Sequence, residues 1–119
     1  MGVQVTDLAA ARDWYDAVLA PLQATVLMDF GMAIGYGVAD GPPDFWLSVA
    51  TEPPGRENHI AFTAADRAVV QAVHEVALAR GIEVLHAPRE WPEYHPGYYA
   101  VFLRDLDGNN TEVVCHHPA

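Results

Sequence analysis

The chain contains no lysine, a single cysteine and no long apolar run, and each of these absences excludes a class of protein. Its 6 basic residues, all arginine, stand against 16 acidic ones and leave a formal net charge of −10. Nucleic-acid binding requires a basic surface that contacts phosphates, so we expect no nucleic-acid partner. One cysteine excludes an intrachain disulfide framework and a multi-cysteine zinc site. Without a span of ~18–20 apolar residues or a secretory leader, we expect a cytoplasmic protein with no membrane partner.

The remaining composition is that of a folded globular domain. The 119 residues are 51% hydrophobic and 18% charged, which supplies apolar material for a core and too little charge for a disordered tail. The surplus of acidic residues mildly favours neutral or cationic small ligands, although solvated surface carboxylates are the simpler explanation.

The first half of the chain predicts a strand, a helix and three further strands. Residues 3–5 alternate apolar and polar side chains, as a half-buried strand does. Asp7 supplies N-cap chemistry for a helix over Leu8–Leu19, which Pro21 helps to end. Three strand-like runs follow, at residues 25–28, 32–38 and 45–49.

The second half repeats this order. Residues 60–64 form a predicted strand, and Asp66 caps a predicted helix that Gly81 ends. Residues 82–85 form the next predicted strand, and residues 88–96 a loop. The last two strands, joined by a turn that contains Asp107-Gly108, are predicted at residues 98–104 and 111–115.

The two halves form an internal repeat whose helix caps, Asp7 and Asp66, lie 59 residues apart. The repeat predicts an α+β fold of two βαβββ modules, about residues 1–52 and 58–117, joined by a proline-rich linker over residues 51–57 and forming one domain over residues 1–119. We expect each module to be a mostly antiparallel sheet with a helix on one face. The two remaining faces would then cover each other across a shared cleft.

Three segments of the second half carry a resemblance to a known family. They are His59-Ile60-Ala61-Phe62, Tyr94-His95-Pro96-Gly97-Tyr98-Tyr99 and Asp105-Leu106-Asp107-Gly108-Asn109-Asn110-Thr111-Glu112. Over almost its whole length the chain resembles the vicinal-oxygen-chelate superfamily of glyoxalases, bleomycin-resistance proteins and extradiol dioxygenases, and the second segment is similar to the glyoxalase-like subgroup. The resemblance implies paired βαβββ modules, a small-molecule site between them and, usually, one divalent metal (Zn, Ni, Mn or Fe).

The same resemblance implies that His59 and Glu112 are metal ligands, with Glu112 also a catalytic carboxylate. An imidazole and a carboxylate suit a first-row divalent metal. In the first module the position matching His59 falls before Met1, and the position matching Glu112 is Trp46, which cannot ligate. Gln4 lies on the face of the missing residue by the period-2 rule and offers an amide oxygen. We therefore expect a metal to be weakly held or absent, unless residues upstream of Met1 supply a histidine.

The segment of residues 94–99 supplies the other candidate side chains. Tyr94 and Tyr98 are predicted substrate contacts, because tyrosine offers a flat apolar face with a polar tip. His95 is a predicted catalytic residue for acid–base work or substrate contact, because histidine exchanges protons near neutral pH. The alternative is a surface loop that turns at Pro96. We expect His116, close to the chain end, to be frayed.

The ligand candidates have structural alternatives as well. His59 equally suits a hydrogen-bonded histidine at a strand start. Glu112 points either into a polar cleft or to solvent. Trp46 either stacks on a planar substrate or packs in the core.

Two classes of function stay open. In the first, the protein is a metal-dependent lyase of the lactoylglutathione-lyase type, an isomerase or a dioxygenase, in which the metal polarises vicinal oxygens while a carboxylate moves a proton. In the second, it is a metal-free protein of the bleomycin-resistance type that sequesters a cationic or planar compound. The glyoxalase-like segments favour the first class, whereas the net charge and Trp46 favour the second. We also expect a homodimer, because two thin modules leave sheet edges poorly covered.

Overall fold

The structure, a computed structural model, describes residues 1–39, 41–51 and 57–117. The chain divides into two compact units, Met1–Arg56 (unit 1) and Glu57–Ala119 (unit 2), and each is built as a strand, a helix and three strands. The predicted α+β fold with a repeated βαβββ architecture is therefore confirmed. Most of the predicted linker, residues 52–56, lies outside the described residues. Neither helix of the described part is long and apolar enough to cross a membrane.

Unit 1 has a four-stranded sheet with the strand order β1-β4-β3-β2. Its elements are β1 (Gly2–Val5), α1 (Leu8–Leu19), a 3₁₀ turn (Ala20–Leu22), β2 (Thr25–Asp29), β3 (Ala33–Gly37) and β4 (Phe45–Val49).

Unit 2 has the equivalent strand order, β5-β8-β7-β6. Its elements are β5 (His59–Thr63), α2 (Arg67–Arg80), β6 (Val84–Glu90), β7 (Tyr99–Arg104) and β8 (Asn110–Cys115).

Both helices begin at an aspartate, as the sequence predicted. The side chain of Asp7 accepts a hydrogen bond from the backbone N–H of Ala10, and that of Asp66 accepts one from Val69, each at 3.0 Å. Gly81 ends α2 in the left-handed conformation, with φ at 68°, where a side chain would be strained.

Each sheet contains one parallel strand pair, and its other two pairs are antiparallel. The expectation of mostly antiparallel sheets is thus confirmed, with β1–β4 and β5–β8 as the parallel pairs. The helix after the first strand returns the chain to the end of the sheet at which that strand began, the second strand forms the opposite edge, and two hairpins then reverse the chain twice. The last strand therefore runs in the same direction as the first and pairs beside it.

Strand β6 is longer than the sequence predicted, and this part of the prediction was wrong. The predicted loop begins at residue 88, whereas β6 continues through Pro88 to Glu90. β6 is an edge strand, where a proline that lacks an N–H donor is tolerated. Its pairing with β7 is irregular between Val84 and His86 and again between His86 and Arg89.

In unit 2, helix α2 packs on β6, β7 and β8 through a buried stripe of Val70, Val73 and Ala77. A separate buried cluster, Trp91, Ala100, Phe102 and Val114, contains no helix residue. Side chains alternate between the two faces of a strand, so this aromatic cluster lies on the face of the sheet away from α2. The candidate site lies on the same face.

Candidate functional site

Glu112 is a buried carboxylate in the middle of β8, with only 2% of its surface exposed. In the sheet ladder it lies opposite Ala61 of β5 and Phe102 of β7. Because Glu112 and Val114 are two positions apart, they share the face that carries the aromatic cluster. A buried carboxylate is costly unless its oxygens accept hydrogen bonds, so its partners define the site.

Both oxygens of Glu112 accept hydrogen bonds from side chains of unit 2. The hydroxyl of Tyr98 donates to Oε2. Nε2 of His59 lies 2.7 Å from Oε1, and because an ionised carboxylate only accepts, the imidazole donates from Nε2. The structure thus brings together three of the predicted site residues: His59, Tyr98 and Glu112.

The two partners of Glu112 differ in their access to solvent. The side chain of His59 is 54% exposed, whereas Glu112 itself is buried. Burial, and then the hydrogen bond to Glu112, raise the pKa of Tyr98 above its usual value. Tyr98 therefore stays a hydroxyl donor across the physiological range, and Oε1 is the oxygen that a ligand can approach.

The ring of Tyr98 is surrounded by other predicted site residues. Its centre lies 4.9 Å from that of Tyr94 and 5.2 Å from that of His95, both in edge-to-face geometry. Trp91 in turn stacks on Tyr94 at 5.8 Å and contacts Phe102 edge-on. Aromatic pairs of this kind favour particular ring orientations, so these neighbours favour the position in which the Tyr98 hydroxyl contacts Glu112.

His116 joins this group, and the expectation that it is frayed was wrong. Its ring centre lies 5.3 Å from that of Tyr98, and its Nδ1 lies 3.0 Å from Nε2 of His95. The signal that could have located it is strand pairing. Because Tyr99 pairs with Cys115 at the end of the β7–β8 ladder, the residue after Cys115 is carried next to the loop before Tyr99.

Two predicted substrate contacts, Gln4 and Trp46, lie in unit 1. Gln4 is exposed on β1, opposite Ser48. Trp46 pairs with Gly2, and its ring stacks on that of Phe30 at 6.0 Å with an angle of 5° between the planes. Their role as substrate contacts stays a prediction.

The donor set for a metal consists of Nε2 of His59 and Oε1 of Glu112. These two atoms are hydrogen-bonded to each other, and the second oxygen of Glu112 is taken by Tyr98. The described residues contain no group of three or more histidine, cysteine or acidic side chains arranged to hold a metal ion. A retained catalytic metal typically has three protein ligands. The residues present therefore do not fit a tightly held metal.

The sequence profile of the Glyoxalase/Bleomycin resistance protein/Dioxygenase superfamily matches residues 1–113. Among solved structures, a glyoxalase/bleomycin resistance protein from Albidiferax ferrireducens T118 is 22% identical, covers 97% of this chain and 95% of that chain, and superposes with a TM-score of 0.81. Lactoylglutathione lyase from Agrobacterium tumefaciens is 25% identical, with coverages of 97% and 90% and a TM-score of 0.72.

A genomically encoded fosfomycin resistance protein from Listeria monocytogenes is 17% identical, with coverages of 97% and 88% and a TM-score of 0.71. No curated protein matches the chain in sequence. At 17–22% identity the likeness shows a shared fold alone.

Proposed function

Because the chain belongs to the Glyoxalase/Bleomycin resistance protein/Dioxygenase superfamily, we propose that it is a glyoxalase-like protein that binds a small oxygenated molecule at Glu112 and moves a proton on it, as a lyase or isomerase does. The observation that supports this proposal is the buried carboxylate with one oxygen held by Tyr98 and the other by a half-exposed imidazole, His59. General bases are carboxylates or imidazoles placed within hydrogen-bonding reach of the substrate and partly withdrawn from water.

The chemistry assigns a different part to each of the three side chains. A ligand hydroxyl or acidic C–H that displaces the His59 N–H meets Oε1 of Glu112, which takes the proton. The displaced His59 remains beside the ligand and donates from Nε2 to a ligand oxygen on which negative charge develops. Tyr98 keeps its proton and holds Oε2, so the carboxylate does not rotate.

The test of this proposal is ligand titration followed by nuclear magnetic resonance of the His59 and Tyr98 rings. We use lactoylglutathione and fosfomycin as probes, since the names of two relatives carry these compounds. We expect binding that shifts both rings and weakens by about tenfold to a hundredfold in Glu112→Gln, because a charge-assisted hydrogen bond contributes about 1.5–3 kcal/mol. Glu93→Gln, an exposed carboxylate in the same unit, is the matched control. Binding that is equally strong in Glu112→Gln contradicts the proposal.

Metal binding is tested separately. With two protein ligands, we expect Zn²⁺, Ni²⁺ or Mn²⁺ to bind weakly and to be lost on dialysis, and His59→Ala to remove what binding there is. Tight stoichiometric binding abolished by His59→Ala contradicts this expectation and indicates a third ligand, for which His95 and Gln4 are the first residues to substitute.

A second candidate function is supported by the stacked pair in unit 1. Phe30 is 71% exposed and lies parallel to Trp46, in a chain of net charge −10. A flat pair of rings with one exposed member suits a planar cation, which also gains from the acidic surface. If the protein sequesters such a compound, bleomycin quenches tryptophan fluorescence in the wild type and in Trp91→Phe but not in Trp46→Leu. Equal quenching in all three variants contradicts this candidate.

We also propose that the protein is a homodimer. In unit 1 several large apolar side chains are exposed, and burying them against a second copy is favourable. They are Leu27, Met28, Phe30, Met32 and Val38. Light scattering at micromolar concentration is expected to give twice the chain mass of 13.0 kDa, and a mass of one chain contradicts the proposal.

A further inference from the structure

Hydrogen bonds determine where the protons of His95 and His116 lie. Nδ1 of His95 is 2.7 Å from the backbone oxygen of Pro96. A carbonyl oxygen only accepts, so Nδ1 of His95 carries the hydrogen. In neutral His95 the other nitrogen, Nε2, is then an acceptor. Because Nε2 of His95 lies 3.0 Å from Nδ1 of His116, the hydrogen of that bond belongs to Nδ1 of His116.

The ring geometry agrees with a bond of this kind. The planes of His95 and His116 differ by only 24°, and the ring centres are 5.3 Å apart. That separation is what an N–H···N bond in the plane of both rings requires, with the two rings edge to edge rather than face to face. The two nitrogens point at each other, so they do not converge on a common metal position.

The consequence concerns Nε2 of His116. When Nδ1 of His116 carries the hydrogen, Nε2 holds an unshared electron pair. In the described part of the chain this nitrogen has no hydrogen-bond partner. His116 is exposed, so the electron pair faces solvent. The arrangement of carbonyl, His95 and His116 is the one by which proteins orient an imidazole that serves as a base, with an acceptor holding its other ring N–H.

We propose that His116 is a second proton acceptor of the site, with Nε2 as the accepting atom, and that His95 is the residue that positions it. The ligand group is one that carries an acidic hydrogen on oxygen, sulfur or nitrogen. In the transfer the bond from that atom to hydrogen breaks, its electron pair stays on the ligand atom, and a new N–H bond forms at Nε2. The resulting imidazolium keeps its Nδ1–H bond to His95, so no hydrogen bond of the pair is lost.

Tyr98 connects this group to the site already described. Its hydroxyl binds Glu112 and its ring lies edge-to-face against His116, 5.3 Å between centres. Tyr98 thus lies between His116 and Glu112, and contacts both. The inference rests on the proposed function for the identity of the ligand, but the proton positions do not depend on it.

The charged and titratable groups around His116 come from the loop before β7, from helix α2 and, through Glu90, from strand β6. The loop before β7 contributes Tyr94 and Tyr98 besides His95. Helix α2 contributes Arg67, whose Nε donates to the backbone oxygen of His117 and whose charge is paired with Glu90 at 2.8 Å. Because Arg67 is neutralised by Glu90, it does not oppose a positive charge on His116 strongly.

The test is nitrogen-15 magnetic resonance of the histidine side chains in the full-length protein, without any ligand. At about pH 8, above the usual histidine pKa of about 6.5, we expect both His95 and His116 to carry hydrogen on Nδ1. In His95→Ala the Nδ1–H preference of His116 is lost, and in His95→Gln it is retained, because the glutamine oxygen replaces the acceptor.

His117→Ala is the matched control, since it removes a neighbouring histidine outside the pair and should leave both tautomers unchanged. A wild-type His116 with hydrogen on Nε2, or the same change in His117→Ala as in His95→Ala, overturns the proposal. Diethyl pyrocarbonate, which acylates unprotonated imidazole nitrogens, gives a second measurement. His116 should react severalfold faster than His117, and this advantage should disappear in His95→Ala. A failure of the Glu112 ligand titrations leaves these readouts unaffected, so the two proposals fail separately.

Discussion

The two units place different chemistry at the same position of the same fold. In unit 1, Trp46 of β4 lies opposite Gly2 of β1, and in unit 2, Glu112 of β8 lies opposite Ala61 of β5. Gly2 and Ala61 are 59 residues apart, the same separation as the two helix caps, so the two positions are equivalent in the repeat. A strand position whose side chain projects from the sheet accepts an aromatic ring or a carboxylate without a change in backbone, provided that its neighbours accommodate it.

The neighbours differ accordingly. Around Trp46 the sheet provides room for the ring, because Gly35, which has no side chain, lies against it. Around Glu112 it provides donors, because His59 and Tyr98 satisfy both carboxylate oxygens. The shared backbone therefore determines where the side chain projects from the sheet, and the neighbouring residues decide which side chain is stable there.

Among the substitutions that test this difference between the units, Glu112→Ala should cause the largest loss of stability. The substitution leaves the Tyr98 hydroxyl without its acceptor and opens a cavity on the sheet face, so we expect the free energy of unfolding to fall by about 3 kcal/mol. Urea unfolding measures the change. Glu112→Gln, which keeps the shape and one acceptor oxygen, should lower the free energy of unfolding less than Glu112→Ala does. The surface substitution Glu93→Ala should change it by no more than about 0.5 kcal/mol. Equal losses for Glu112→Ala and Glu93→Ala would show that the buried carboxylate is not stabilised by its partners.

Gly35→Ala tests the surroundings of Trp46, the position in unit 1 that is equivalent to Glu112. A Cβ at residue 35 would lie 2.9 Å from the Trp46 ring and 3.0 Å from Cβ of Pro43. We expect a loss of about 2 kcal/mol in unfolding free energy from this overpacking. In a Trp46→Ala background the loss should shrink by about 1 kcal/mol, because the ring is gone and only Pro43 remains close. Strictly additive effects in this double-mutant cycle would contradict the role assigned to the glycine.

Tyr36→Phe compares the tyrosine–carboxylate pair of unit 1 with that of unit 2. The Tyr36 hydroxyl donates to Oδ1 of Asp16 at 2.7 Å, so at neutral pH its removal should cost about 1.5 kcal/mol. Burial, and then the bond to Asp16, raise the pKa of Tyr36 above its usual value. The folded protein thus keeps a proton that the unfolded chain releases above about pH 10.

The stabilisation of the folded state by the Tyr36 hydroxyl is therefore complete below about pH 10 and is lost as the pH rises further. The free energy of unfolding, measured at about pH 8 and about pH 10.5, should differ less between wild type and Tyr36→Phe at the higher pH. A difference in unfolding free energy that increases with pH would mean that Tyr36 ionises more easily in the folded state. Tyr98→Phe should show the same sign, since the pKa of Tyr98 is also raised.

The helix caps are a feature in which the two units agree, and they give the smallest expected effect. Asp7→Ala and Asp66→Ala should each lower the unfolding free energy by about 1 kcal/mol, because each removes one hydrogen bond to an otherwise unpaired helix N–H. Asp7→Ser and Asp66→Ser retain a capping oxygen and should be close to wild type in thermal unfolding. Losses that differ severalfold between the two units would show that the caps are not equivalent.

The candidate site could be predicted from the sequence only in part. His59, Tyr98 and Glu112 were singled out by motif, and the structure places them in contact. His116 was dismissed because it lies near the chain end, yet it is bonded to His95, 21 residues earlier. A contact of this kind depends on the register of the β7–β8 ladder, and sequence periodicity shows that a strand exists but not which residue it faces.

What the sequence by itself determined is local. The capping aspartates, Gly81 and the alternation of apolar residues predict the order of the helices and strands, because each depends on hydrogen bonds or burial within a few residues. The tertiary structure alone decided the parallel pairing of the first and last strand in each unit, the continuation of β6 through Pro88, and the contact between His95 and His116. These features depend on the order of the strands in the sheet and on the register between neighbouring strands. Both are set by contacts between residues that are far apart in the chain.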